Sequence, residues 1–394
     1  MASLNPVRAR TGISLFFFTN GLMMAGLLPR YPEIKASFDL SNTAFGLMVA
    51  ISPLAAMLAS ALPAPLIRRF GAQAVSLGGT IVMALAVSLA GFAPVFAVFA
   101  IAIAIAGFTD SIVDAAQNVH GVIVEDAYRR TIINSLHALW SLGATLGGLV
   151  GAIAAGMRIP LGLHLSGVAA FTVVLAALAT WLGRLPVNAP AETPVDAPTP
   201  PTKLPAGAWS VILPLAVLAI AGSLVEDIGF NWSSVYLVQN LGATAGVAGF
   251  GYTIMLGSQF VGRLLGDPAT DRWGRVAVIK TGGVLIAVGG IFVVTAPGLI
   301  SVMVGYALAG FGCATVIPAA YAAAGRLPGL PEGTGITLVS WLLRIGFLAC
   351  SPIIGAVSDL TNLRVSLCLL IVAGIAVFAL APVVRGRRQA TTTA

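Results

Sequence analysis

The 394-residue chain is 58% hydrophobic and only 9% charged, with a mean hydropathy of +0.97, whereas soluble domains carry about 25% charged residues. This excludes an ordinary soluble domain and points to one polytopic membrane protein, long enough for about a dozen spans of roughly 20 residues. The net charge of +7 is spread in short basic clusters between apolar runs, a topological pattern, so no nucleic acid is expected as a partner.

Arg8 and Arg10 precede the apolar run ISLFFF, and no small-residue cleavage site follows before Arg30, so the first span is expected to stay uncleaved. Apolar runs between Gly, Pro and charge clusters then predict six spans over 12–29, 41–66, 74–93, 94–124, 131–156 and 160–182. A Pro-rich stretch over 183–208 can neither span nor pack and reads as a solvated cytoplasmic linker. Six more spans follow over 209–237, 244–266, 276–295, 297–324, 334–357 and 364–384. The expected domains are therefore an N-terminal bundle over 1–182, the linker, and a C-terminal bundle over 209–394.

Placing the N-terminus inside puts Arg8, Arg10, Arg68, Arg69, Arg129, Arg130, Arg184, Lys203, Arg272, Arg275, Lys280, Arg326, Arg385, Arg387 and Arg388 on the cytoplasmic side. Only Arg30, Lys35, Arg158 and Arg364 fall outside, a bias of fifteen to four that also supports an even number of spans. The expected location is the bacterial cytoplasmic membrane, with both termini cytoplasmic. The two halves echo each other: Arg69-Phe70-Gly71 follows the second span and Asp271-Arg272-Trp273-Gly274-Arg275 the eighth, as a parallel repeat of six plus six would give.

The fourth span carries two acids, Asp110 and Asp114, four residues apart, so on a helix they share a face with Gln117, Asn118 and Gly121. At 1.5 Å per residue this helix would be roughly 46 Å long and would overhang a hydrocarbon core of about 30 Å, placing Asp110 near the midplane and Asp114 one turn toward the cytoplasm. The same counting places Glu226 and Asp227 near the middle of the seventh span and Arg344 near the middle of the eleventh. Four carboxylates and one arginine in one apolar layer cannot all be ionised cheaply, so at least one acid is expected to bind a proton. Asp114 and Glu226 are the leading candidates. Asp110 and Asp227 are candidates too, or static partners of Arg344 that fix helix register.

Asn20, Gln117, Asn118, Asn231 and Gln259 would give a cavity its amide groups, and Trp232, Tyr236, Tyr252, Tyr306 and Trp341 its aromatic faces. With Arg344 they suit a small, polar, ring-shaped solute, and they equally suit contacts between helices. His120 and His137 lie toward cytoplasmic helix ends, where a proton relay competes with a hydrogen-bonded structural role. Gly143, Gly147 and Gly151 form a ladder suited to close packing. Cys313, Cys350 and Cys368 each stand alone in an apolar run. They fit neither a disulfide framework nor a metal site, and no cofactor or metal is expected. Nor does any His, Cys or Glu grouping offer the machinery of an enzyme.

The string GDPATDRWGR, with Asp267, Asp271, Arg272, Gly274 and Arg275, resembles the loop signature of the major facilitator superfamily between its eighth and ninth helices. The resemblance implies an all-α membrane fold, two six-helix bundles around a central cavity, in which this turn links helix ends and gates their motion. In the first half the signature is degraded, since Arg68 stands where the acid usually is. Asn20-Gly21 through Pro29-Arg30-Tyr31-Pro32, EDIGFNWSSVYL over 226–237 and His137-Ala138-Leu139-Trp140-Ser141-Leu142-Gly143 resemble the MosC-like group, although Asn231 replaces its usual acid before Trp232. Asp114-Ala115-Ala116-Gln117-Asn118 is similar to the acid-to-Asn motif of the fucose permease, whose acid takes part in proton coupling; that permease's first-helix acid is missing here, where apolar Ala25 and its neighbours stand.

What this implies is a monomeric secondary transporter in the lipid bilayer, working by alternating access and coupling protons to a small-molecule substrate such as a sugar, polyol or derivative. Efflux of drugs or metabolites by proton antiport is the alternative. Against it, the fourth helix lacks the Arg that drug antiporters place before a Gln-Gly pair, and the fifth has Gly147-Gly148 where they carry Gly-Pro. A transporter-shaped receptor is a third reading, disfavoured because the chain ends soon after Arg388.

Overall fold

A computed structural model describes residues 6–128, 132–183, 208–295, 298–327 and 334–385. Most of the linker expected over 183–208 lies outside them, as do Arg129, Arg130, Arg184, Lys203, Arg387 and Arg388. Among the described residues every regular element is helical. The span-like helices are α1 (Pro6–Ser37), α2 (Asn42–Ala59), α3 (Ala72–Gly91), α4 (Phe96–Tyr128), α5 (Ile133–Gly156) and α6 (Leu161–Leu182). In the second half they are α7 (Trp209–Leu241), α8 (Ala245–Trp273), α9 (Arg275–Thr295), α10 (Leu299–Ala324), α11 (Thr334–Leu360) and α12 (Leu363–Val384).

Eleven of these are long and apolar enough to cross a membrane among the described residues. The exception is α8, long enough at 29 residues but less apolar than the rest. Gln259, Arg263, Asp267, Asp271 and Arg272 dilute its apolar content, and two of these side chains turn out to matter below.

Proline and glycine set the irregularities. The first helix outruns its expected end at residue 29 because Pro29 sits in a single 3₁₀ turn, Leu28–Arg30, and Pro32 in the first turn of Tyr31–Ser37, where a missing N–H costs nothing. The second span, expected over 41–66, stops at Ala59 and resumes as Pro63–Phe70. Beyond Asp227 the seventh helix widens into a π-type turn over Ile228–Trp232, then continues to Leu241, where Gly242 in the left-handed region (φ 63°) closes it.

The echo between the halves is visible in the backbone. Gly71, ahead of α3, has φ +82°, and Gly274, ahead of α9, has φ +83°. A Cβ at either position would meet no atom within 4 Å, so what requires glycine there is the backbone conformation. Gly274→Ala is therefore expected to cost about 1 kcal/mol, read as a lower melting temperature in detergent. Gly257→Ala, inside α8 with equally open space and no positive φ, should raise it; equal effects at the two sites would refute the backbone account.

Packing divides the chain into two compact units. The first takes in residues up to 194 together with 230–256 and 351–363, so the C-terminal parts of α7 and α11 and the N-terminal part of α8 join it. Its helices meet through small residues: a Cβ on Gly143, Gly147 or Gly151 of α5 would run into the carbonyls of Phe18, Leu22 and Gly26 on α1, and one on Gly21 into the carbonyl of Trp140. With no hydrophobic drive to associate helices in lipid, such backbone proximity is what holds spans together. The second unit comprises 195–229, 257–350 and 364–394 and follows the same rule, with Gly282 and Gly289 of α9 against Gly312 and Gly305 of α10, and Gly283 against Gly374 of α12. Large apolar side chains exposed along α3, α6, α9 and α12, among them Leu85, Val174, Ile291 and Ile375, provide a surface suited to lipid.

Candidate functional site

Two polar constellations lie inside apolar helices, one in each unit. In the first, Asn20 on α1 donates from Nδ2 to Asp110 Oδ1 of α4 at 2.9 Å, while Trp140 Nε1 of α5 donates to Asn20 Oδ1 at 2.8 Å. An indole N–H can only donate, so it fixes the amide: the oxygen must face Trp140 and the NH₂ must face the carboxylate. Asp110 is thereby held as an acceptor by three helices. Its partner is an amide; Arg344 is exposed and forms no ion pair among the described residues.

One turn along α4, Asp114 is exposed while densely surrounded, as a group lining a recess would be. Asn118 folds back on it, donating from Nδ2 to the Asp114 carbonyl at 2.9 Å and to its Oδ1 at 3.2 Å, the acid-to-Asn spacing noted in the sequence. His137 of α5, exposed and edge-on to Phe17 with ring centroids 5.2 Å apart, is within electrostatic reach of this acid. Behind them Gln117 and His120 are 1% and 0% exposed, and Gln117 Nε2 and both ring nitrogens of His120 have no partner among the described residues. The hydrogen-bonded structural role open to His120 is not what the structure shows.

In the second unit Glu226, last but one before the widened turn of α7, has an 11% exposed side chain. Two side chains one helical turn apart on α8 converge on a single oxygen of it. Gln259 Nε2 makes a short hydrogen bond to Oε1, and Arg263 pairs with the same atom at 3.3 Å. Gln259 also donates to Cys313 Sγ of α10 at 3.6 Å, and its own Oε1 is buried without a partner among the described residues. Oε2 of Glu226 has no protein partner among the described residues. Asp227, 4% exposed, lies within electrostatic reach of Cys350 on α11.

The two amides differ in kind. Asn20 cannot turn over without facing its oxygen to a carboxylate and its NH₂ to an indole N–H. Gln259 has no such lock, and can donate to an ionised Glu226 or, turned over, accept from a protonated one. A site able to satisfy an acid in both of its protonation states suits a group that exchanges a proton.

The remaining expected site residues are dispersed. Trp232 and Tyr236 are fully buried in the first unit, with Trp232 edge-on to Phe45 at 4.9 Å and its Nε1 donating to Ser351 Oγ at 3.0 Å. Asn231 is half-buried beside them. Tyr252 packs near Phe230, with ring centroids 5.6 Å apart, and Gly148 faces its ring. Tyr306 is buried in the second unit, and Trp341 is exposed. Asp267, Asp271 and Arg272, expected in a turn, are exposed on the last turns of α8, which runs on to Trp273; Gly274 alone forms the break before α9, and Arg275 is half-buried. Among the described residues this stretch forms no ion pair, against the expectation that its acids and arginines would link helix ends; Arg272 instead lies over the Trp273 ring at 5.8 Å.

Arg263 and Trp140 are the partners that sequence reasoning left out of the site. The signal for Arg263 was present: an arginine four residues after Gln259 in a span whose hydropathy is low for its length.

A family model of the Major Facilitator Superfamily matches residues 13–236 and again 215–394. An uncharacterised MFS-type transporter of Yersinia pestis is 30% identical over 352 residues, covering 89% of each chain. The membrane protein MosC of Rhizobium meliloti is 25% identical over 93% of this chain and 88% of its own. Among solved structures the nucleoside transporter NupG (D323A mutant) superposes with a TM-score of 0.75 at 13% identity, covering 94% of this chain and 98% of its own. The transporter FucP in its outward conformation follows with a TM-score of 0.59 at 17% identity, covering 94% and 97%. Family match and relatives together place this chain in the major facilitator superfamily, as a multi-pass membrane transporter and not an enzyme.

Proposed function

We propose that the protein is a proton-coupled secondary transporter that moves a small polar solute by alternating access across the bacterial cytoplasmic membrane, as a monomer with both termini inside. The observation that carries this reading is the Glu226 site. One carboxylate oxygen is held by an amide that tolerates either protonation state and by an arginine, while the other oxygen has no partner among the described residues. An acid so placed takes up a proton when Arg263 or water withdraws, and gives it back when they return. Asp114 is the second exchanging group in this reading, and Asp110, pinned through Asn20 to Trp140, organises the helices around it. The amides beside the acids, Asn118 at Asp114 and Gln259 at Glu226, suit hydroxylated solutes, a class that includes the nucleosides named for the NupG neighbour.

The test is solute-dependent proton movement in proteoliposomes, screened with sugars, polyols, nucleosides and cationic drugs. Solute addition should alkalinise the medium on the side of addition. A response to cationic drugs alone, with acidification, would replace this reading by antiport. In the same vesicles Asp114→Asn is expected to abolish accumulation driven by a pH gradient and to keep part of solute exchange, because exchange needs no net proton transfer. Undiminished accumulation would remove Asp114 from the coupling step.

A further inference from the structure

The first turn of α2 is completed by another helix. A helix begins with N–H groups that have no partner of their own. Here Ser41 Oγ accepts from Ala44 N at 3.1 Å, the usual N-cap. The two N–H groups before it are met by one carboxylate more than 300 residues away: Asn42 N donates to Asp359 Oδ1 at 3.0 Å and Thr43 N to Asp359 Oδ2 at 2.8 Å. Asp359 is the penultimate residue of α11. Its negative charge thus rests on the positive end of the α2 dipole, through two charge-assisted bonds.

Below this rim the same two helices close together without charge. Asn42 Nδ2 donates to Ser358 Oγ at 2.8 Å, a Cβ on Gly355 would strike the Asn42 carbonyl, and one on Gly46 the Ser351 carbonyl. Phe45 lies edge-on to Trp232, which donates to Ser351. Phe45, Trp232, Ser351 and Ser358 are all buried, whereas Asp359 is exposed to water. The buried contacts are apolar or neutral and hold through shape. Asp359 also takes hydrogen bonds from the Ser41 and Thr43 side chains and has Lys35 of α1 within electrostatic reach, so the charged contacts of this seam gather on one carboxylate, where solvent can compete for them.

We infer that Asp359 is a transport-determining latch: its two bonds to the α2 N-terminus set how readily this end of the molecule opens. The inference rests on the alternating-access reading, in which α2 and α11 part once per cycle. Parting leaves two helix N–H groups and a carboxylate to water, so opening stays possible at a cost that this one side chain sets.

Cys350, 6% exposed, directly precedes the seam residue Ser351 on α11 and lies against Ser223 and Asp227 of α7, which makes it a natural reporter of opening that needs no known solute. With Cys313→Ala and Cys368→Ser, its alkylation by a membrane-impermeant maleimide is followed in right-side-out and in inverted vesicles. Asp359→Ala is expected to speed labelling on the order of tenfold, from one side only, and Asp359→Asn, which keeps the size and loses the charge, by less. Leu360→Ala alters the next residue of α11, 85% exposed, and should leave the rate near that of the parent. A disulfide between Asn42→Cys and Ser358→Cys should suppress labelling.

Faster labelling confined to inverted vesicles would reverse the proposed orientation and keep the latch. Equal rates for parent and both Asp359 variants in both vesicle types would overturn the latch, as would a Leu360→Ala effect as large as that of Asp359→Ala. Opening at the Asp359 variants without any proton-coupled transport would separate the latch from the coupling proposal.

Discussion

Glu226→Gln is expected to reduce gradient-driven accumulation to equilibrium while leaving solute exchange within about a factor of ten of the parent. The substitution keeps the shape of the side chain and the acceptor that Gln259 and Arg263 share, so the buried cluster on α7, α8 and α10 stays filled. It removes the ability to ionise. A one-unit pH gradient can sustain about tenfold accumulation for one proton per solute, and a side chain frozen in a protonated-like state transmits none of it. Gln259→Leu separates holding the acid from exchanging the proton. It deprives a buried carboxylate of one hydrogen bond, worth about 1.5–3 kcal/mol for a charged group, and should slow transport about ten- to a hundredfold with coupling preserved. Parallel measurements of uphill uptake and counterflow in proteoliposomes decide the matter. If Glu226→Gln still concentrates solute, the proton is carried elsewhere, and the contrast with Asp114→Asn shows whether α4 carries it.

The acids of both constellations were legible in the sequence because a carboxylate in an apolar span stands out against its surroundings. Their partners were not. Counting 1.5 Å per residue gives depth along a helix and says nothing of its rotation. Arg344 therefore seemed available to Asp110 or Asp227 from its height alone, yet it is exposed and forms no ion pair among the described residues. Arg263 lies inside a span, so neither the loop charges nor the motif strings drew attention to it, although it is the arginine that meets Glu226. Trp140 was visible only as part of a family-like string, because what makes it matter is that an indole N–H cannot accept. Fold class was far more legible, through composition, the run of spans and the Asp-Arg-x-Gly-Arg turn. The completed helix end at Asn42 escaped notice for a physical reason: its partner is a single exposed acid near the far end of the chain, and nothing local to either residue signals the other.

Gly143→Leu is expected to lose the folded transporter altogether, the largest stability effect foreseen in this molecule. Overpacking in a core costs about 1–3 kcal/mol when neighbouring side chains can shift. At Gly143 the first atom added would overlap a carbonyl oxygen, that of Phe18, and backbone on a packed helix has nowhere to go. Helices α1 and α5 would have to separate along their whole contact, since Gly147 and Gly151 repeat the approach one and two turns on and Gly21 returns it from the other side. The separation would also undo the polar site, because Asn20 adjoins Gly21 and Trp140 lies one turn before Gly143, and their 2.8 Å bond is what orients the amide toward Asp110. Gly167→Leu is the control: that glycine is exposed on α6 with nothing within 4 Å, so the larger side chain meets open space and replaces the weakest of the non-proline helix formers. Size-exclusion profiles of detergent extracts should show a monodisperse peak for the control and aggregate for Gly143→Leu. A stable, monodisperse Gly143→Leu protein would mean that the two helices are not held as close as the glycine ladder requires.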